Sequence, residues 1–66
     1  MATAKVVEVI GHSKTSFEDA IRSALKDCCS TLKNVKGVEV VGQTAKVEDG
    51  EVVSFKATCK IVYQDE

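Results

Sequence analysis

Few side chains in this sequence are equipped for chemistry. A single histidine, His12, follows a run of β-branched residues, three cysteines stand at Cys28, Cys29 and Cys59, and Glu48, Asp49 and Glu51 lie close together. General acid–base catalysis needs a base within hydrogen-bond reach of a nucleophile or second acid, and the sequence around His12 supplies no partner. A structural zinc site needs four ligands in closely spaced pairs, which one histidine and three scattered cysteines do not offer. The acidic trio could gather a hard cation such as calcium, which takes oxygen ligands, with help from symmetry-related copies; an ordinary charged turn has the same composition. No catalytic set and no metal set assembles, so the residues point away from an enzyme.

Composition excludes further classes. Nine basic residues are balanced by ten acidic ones for a net charge of -1, and the aromatics are Phe17, Phe55 and Tyr63. A nucleic-acid binder would carry a basic stripe with interleaved aromatics. No stretch approaches the roughly 20 apolar residues that span a bilayer. Neither nucleic acid nor a membrane is an expected partner.

Sixty-six residues make one domain, 1–66, and a chain this short buries only about 60% of the surface its unfolded form exposes. Small domains find extra support in disulfides, a metal or association. An odd cysteine count, the adjacency of Cys28 and Cys29, and a start unlike a signal peptide point to a reducing, cytoplasmic compartment rather than disulfides. Burial against copies of the same chain remains, and 44% hydrophobic residues suit it.

The elements that must position these residues read clearly. KVVEVI, Lys5 to Ile10, is β-branched and closed by Gly11, a strand followed by a turn. Thr15 with Glu18, and Ser16 with Asp19, both have capping-box spacing. The stripe Phe17, Ala20, Ile21, Ala24, Leu25, Cys28, Leu32 and Val35 recurs at helical period and predicts a helix from about Ser16 to Val35, with Gly37 as its left-handed terminator. Asp49-Gly50 between two β-rich runs predicts a type I′ hairpin. A two-residue loop then sets Glu48 opposite Glu51, Thr44 opposite Phe55, Gln43 opposite Lys56, Val40 opposite Cys59 and Glu39 opposite Lys60. One face carries Val38, Val40, Phe55, Ala57, Cys59 and Ile61 for the helix, and the other Glu39, Gln43, Lys56, Thr58 and Lys60. Cys28 and Cys59 read as small buried hydrophobes, and Cys29 as the thiol most open to reaction or a subunit contact. Met1 to Ala4 and Gln64 to Glu66 read as loose ends.

The expected class is α+β, in the order β-α-β-β, with a three-stranded antiparallel sheet partly wrapped around one helix. One sheet face and at least one long edge are left bare, a liability that pairing with another copy resolves.

Opening residues KVVEVIGHSKTSFEDAI, the VEVVGQ run, and especially Val7 to Gly11, Ser13, Glu18, Ala20 and Ile21 resemble the dodecin family over nearly the whole chain. The resemblance implies a hollow homo-dodecamer that binds flavins in pairs at subunit interfaces without catalysis, and so a role in storage or protection. Flavin-binding members have a tryptophan two residues before the second strand's Glu and a glutamine in the third strand. Carried onto this chain, those positions are Gly37 and Lys56, so the stacking ring is replaced by a hydrogen and the amide by an ammonium. A base–aromatic stack is worth about 1–3 kcal/mol. The implied ligand site is Gly37, Val38, Gln43 and Lys56, with FMN or riboflavin as the family cofactor. The alternative is a flavin-free cage that holds calcium, coenzyme A or another small ion, or is purely structural.

Overall fold

In the computed structural model, residues 3–64 are described. They form β1 (Ala4–Ser13), α1 (Phe17–Cys29), β2 (Val35–Glu48) and β3 (Glu51–Gln64). The strands make one antiparallel sheet in the order β1-β3-β2, with α1 across one face. This is the β-α-β-β arrangement expected from the residues.

Ser13 and Ser16 organise the start of the helix. Ser16 is the N-cap, in extended backbone, and its hydroxyl accepts from the Asp19 amide at 3.0 Å. Of the two possible capping pairs the chain uses Ser16 and Asp19. The buried Ser13 hydroxyl donates to Asp19 Oδ2 at 2.7 Å and accepts from the Thr15 amide at 2.9 Å. The last residue of β1 is thereby tied to the first helical turn, where Glu18 and Asp19 complement the positive end of the helix dipole.

The core is small. Ala20, Ala24 and Cys28 from α1 meet Ala57, Cys59 and Ile61 from β3, with Val7, Val9, Ile21, Leu25, Leu32 and Val35 packed around them. Phe17 lies edge-on against Phe55, centroids 5.0 Å apart at 79°, a favoured aromatic geometry that clamps the other end of the helix to β3. Alanines at the contact let α1 sit close to the sheet. Gly11 takes this furthest, because its Cα faces the Ala20 carbonyl with no room for a side chain.

The helix is shorter than the stripe predicts. It ends at Cys29 with Ser30 as an αR C-cap, and the left-handed residue of the connection is Asn34 at φ 58, just before β2, not Gly37. Leu32 and Val35 still pack on the core, but from the turn and from β2; their helical spacing is a coincidence of sequence. Gly37 is a strand residue. Ala4 and Gln64, read as loose ends, pair with each other at the limits of β1 and β3; Thr3 is exposed outside any element, and 1–2 and 65–66 lie outside the described residues.

The hairpin forms at Asp49 and Gly50, with φ 53 and 77, as a type I′ turn requires. Glu48 faces Glu51, Val40 faces Cys59 and Glu39 faces Lys60, as expected. Between them the register differs from expectation. An extra residue in β3 at Val53 shifts it by one, and an extra residue in β2 at Val41 shifts it back. Thr44 therefore faces Lys56, Ala45 faces Phe55 and Gln43 faces Ala57. These two opposed bulges cancel outside the stretch they enclose, so the pairs from Gly37 to Val40 match a simple hairpin again, until a third extra residue at Lys36 sets Val35 opposite Tyr63.

Candidate functional site

Cross-strand partners share a face and successive residues alternate, so the sheet surface away from α1 can be read in rows. Glu8, Lys60 and Glu39 form one row across β1, β3 and β2; Ile10, Thr58 and Gly42 the next; His12, Lys56 and Thr44 the third; Ser54 and Lys46 the fourth. The first row is a cation between two carboxylates. The third and fourth are basic.

The residues expected to hold ligand divide between the two faces. Gly37, opposite Val62, and Lys56, opposite Thr44, belong to the face away from the helix. Val38, opposite Ile61, and Gln43, opposite Ala57, belong to the helix side. The expected Gln43–Lys56 pair does not form, because the register between the two bulges is shifted by one residue, which leaves Lys56 on the face away from the helix and puts Gln43 on the helix side. Along β3 the partner of Gly37 is six residues from Lys56, about 20 Å, so a single chain does not bring Gly37 and Lys56 to one small ligand. A Cβ at Gly37 would meet nothing within 4 Å. The position is an open platform.

Two concavities stand out. One runs along the free edge of β1 beside α1, a groove of about 490 Å³ bordered by Val9 to His12 of β1 and by Ser23, Ala24, Lys26, Asp27 and Ser30. It was not foreseen, because sequence does not show where a helix stops short of a strand edge. The other, about 390 Å³, opens on the far face and is lined by His12, Lys14, Lys46, Val53, Ser54 and Lys56. His12 is exposed and directly opposite Lys56; it borders both concavities. Among the described residues no three His, Cys, Asp or Glu side chains are grouped to hold a metal ion, and no helix is long and apolar enough to cross a membrane.

Cys28 and Cys59 are buried and Cys29 is exposed. Burial pushes both buried thiols above their ordinary pKa, with Asp27 and Cys29 adding to the effect at Cys28 and Cys28 adding to it at Cys59. The thiolate is the nucleophile, so one thiol, Cys29, is expected to react with a disulfide reagent in the native protein at pH 8 and three after denaturation; fast reaction of all three would contradict this packing. The linkage has a definite sign. The folded state holds these protons more tightly than the unfolded state, so their contribution is intact below about pH 9 and is lost as pH rises from there through the folded-state values. Urea midpoints measured on either side of pH 9 should fall with rising pH, and a Cys28→Ala/Cys59→Ala protein should lose part of that slope.

The dodecin family model matches residues 3–66 of the chain. Among solved structures, the dodecin of Streptomyces coelicolor superimposes with a TM-score of 0.94 at 29% identity, covering 98% of this chain and 93% of that one. That of Streptomyces davaonensis does so at 0.93 and 26%, covering 98% and 96%. The calcium dodecin of Mycobacterium tuberculosis, a calcium-chelating antigen with a calcium-binding site, matches at 0.83 and 22%, covering 97% and 91%. No curated protein matches the chain.

Proposed function

This chain belongs to the dodecin family, and from that premise we propose that it is a non-enzymatic binding protein whose working form is a homo-dodecameric cage around a small ligand, riboflavin or FMN by family default. The observation that carries the reading is the unfinished sheet. β1 and β2 are both edges, every residue of β2 from Val38 to Glu48 is exposed, and Val6, Ile10, Val41, Val47 and Val52 are each half exposed or more. Bare edges flanked by exposed valines template pairing with another chain, and the family forms homo-oligomeric cages.

Assembly also explains the divided ligand residues. With Gly37 and Lys56 about 20 Å apart along one sheet, a pocket using both takes them from different subunits. Gly37 lines it without stacking, Val38 supports it from the helix side with Gln43 beyond, and Lys56 meets a ring oxygen or a phosphate. A second reading, a flavin-free cage holding calcium or another small ion, takes Glu48, Asp49 and Glu51 of the exposed hairpin tip together with those of neighbouring copies, since one chain does not group three ligands among its described residues; coenzyme A or a purely structural role stand beside it. Titrating the assembled protein into riboflavin and into FMN separates these. Saturable quenching of flavin fluorescence, weak for want of a ring at Gly37, is expected. Unquenched flavin together with saturable heat of calcium binding would replace the first reading by the second.

A further inference from the structure

We propose that Asp49-Gly50, at the tip of the β2–β3 hairpin, is a site of spontaneous modification, where Asp49 closes on the Gly50 amide to a succinimide and reopens as isoaspartate. The inference goes beyond the ligand readings and depends on neither of them.

The chemistry needs two free groups next to each other in the chain. The carboxyl must be able to swing onto the following main-chain nitrogen, and that nitrogen must carry no competing hydrogen bond and no bulky side chain behind it. Aspartates stand at Asp19, Asp27, Asp49 and Asp65. Asp19 fails on both counts, since its Oδ2 accepts from Ser13 at 2.7 Å and the Ala20 amide donates to the Ser16 carbonyl at 3.1 Å. Asp27 is followed by Cys28 inside α1, a residue with a buried side chain. Asp65 lies outside the described residues. At the hairpin tip the obstacles are gone. The ladder closes on Glu48 and Glu51, which leaves the Gly50 amide outside it, and among the described residues no hydrogen bond takes up that amide or the Asp49 carboxylate. Both residues are exposed, and a Cβ at Gly50 would meet nothing within 4 Å.

The tip is also loosely held. Glu48 and Glu51 set like charges directly opposite, a destabilising cross-strand pair, and Lys46, 3.4 Å from Glu48, answers one of them. Val47 and Val52, the next pair, are 59% and 50% exposed, so no core backs the end of the hairpin. Asp49 sits at φ 53, a left-handed position that an L residue holds only at a cost. Fraying of this last rung releases Asp49 to the geometry of ring closure.

Closure forms one bond, from the Gly50 nitrogen to Asp49 Cγ, and expels the carboxyl hydroxyl with the amide proton as water. Water then opens either ring carbonyl. Attack at Cγ restores aspartate; attack at the main-chain carbonyl leaves Gly50 joined through Cγ and frees the former main-chain carbonyl as a carboxylate. Mass and charge are unchanged, and no oxidant or cofactor enters. The main chain gains one carbon inside a two-residue loop whose positive φ values set the register of both strands, so the pairs nearest the tip lose their template.

Tryptic mapping of the full assembled protein after weeks in warm neutral buffer tests the site. Peptide 47–56, bounded by Lys46 and Lys56, is expected to split into two chromatographic species of equal mass, the new one resistant to an endoprotease that cleaves before aspartate. Freeing a helical amide adds about one hydrogen bond to the barrier, so isoaspartate should form at Asp49 about tenfold faster or more than at Asp19 or Asp27. Glu51→Gln, which removes the like-charge pair and keeps Lys46 with Glu48, should slow it about two- to threefold. Asp49→Asn suits the same turn and should close faster, because an amide is a better electrophile than an ionised carboxylate; loss of ammonia then shows as a gain in mass. The isolated isoaspartate fraction should melt about 4–8 °C below fresh protein. No isoaspartate at Asp49 above the level at Asp19 and Asp27, an Asp49→Asn protein that keeps its amide, or an isomerised fraction that melts with fresh protein overturns the proposal. So does isoaspartate confined to the denatured chain, the result expected where neighbouring copies cover the tip.

Discussion

Gly11→Ala is expected to destabilise the fold severely, although it adds one methyl group. A Cβ built there lies 1.9 Å from the Ala20 carbonyl oxygen, 2.9 Å from its carbon and 3.0 Å from the Ala24 Cβ. Two of the three are helix backbone, so no side chain can rotate away. The whole helix must lift from β1, and with it the packing of Ala20 and Ala24 on Ala57, Cys59 and Ile61. Overpacking of a core costs about 1–3 kcal/mol when side chains can adjust, and more when they cannot. A 66-residue chain has roughly 3–10 kcal/mol in hand, so the substitution removes a large share of it. Scanning calorimetry should show a midpoint lowered by about 15 °C or more, or no transition. Gly42→Ala is the control. A Cβ there meets nothing within 4 Å, and alanine in a strand is favoured over glycine by roughly 0.5–1 kcal/mol. A Gly11→Ala protein as stable as Gly42→Ala would mean that the helix does not sit on β1 as described.

Gly37→Trp is expected to raise flavin affinity by about tenfold or more. An indole offers the flat surface that a flavin ring needs, and stacking of a base on an aromatic side chain is worth about 1–3 kcal/mol. The substitution is allowed sterically, because the space over Gly37 is open and its backbone has ordinary φ. Riboflavin fluorescence titrated against both proteins gives the comparison. A folded, assembled Gly37→Trp protein that binds riboflavin no better than the parent would show that the pocket does not lie over Gly37.

Much of this was legible in the residues, and the failures are as instructive. Asp49-Gly50 demands positive φ at two successive positions, so the hairpin and its adjacent pairs could be read directly. Capping spacing at Thr15 with Glu18 and at Ser16 with Asp19 narrowed the helix start to two neighbouring residues, of which Ser16 is the cap. Its end was hidden because Leu32 and Val35 continue the apolar period while serving the core from other elements, and because Ser30, its C-cap, stays αR, so no left-handed residue marks the stop. The bulges at Val53 and Val41 were hidden for a different reason. A bulge is a backbone event, and valine is as much at home in it as in the ladder. That one displacement accounts for the missed Gln43–Lys56 pairing and for the basic concavity, which no reading of spacing alone would assemble. Dodecin membership was legible from the opening strand through the helix start, but of the ligand residues carried over with it Gly37 and Lys56 stand at distant rows of one sheet face, and Val38 and Gln43 lie on the other.

The claim beneath all of this is that neighbouring copies complete the sheet. Sedimentation velocity at micromolar concentration measures it directly. The account predicts one discrete particle, near 85 kDa for twelve copies of the 7.1 kDa chain, with no slow boundary on dilution. A folded, monodisperse species of 7.1 kDa would contradict it.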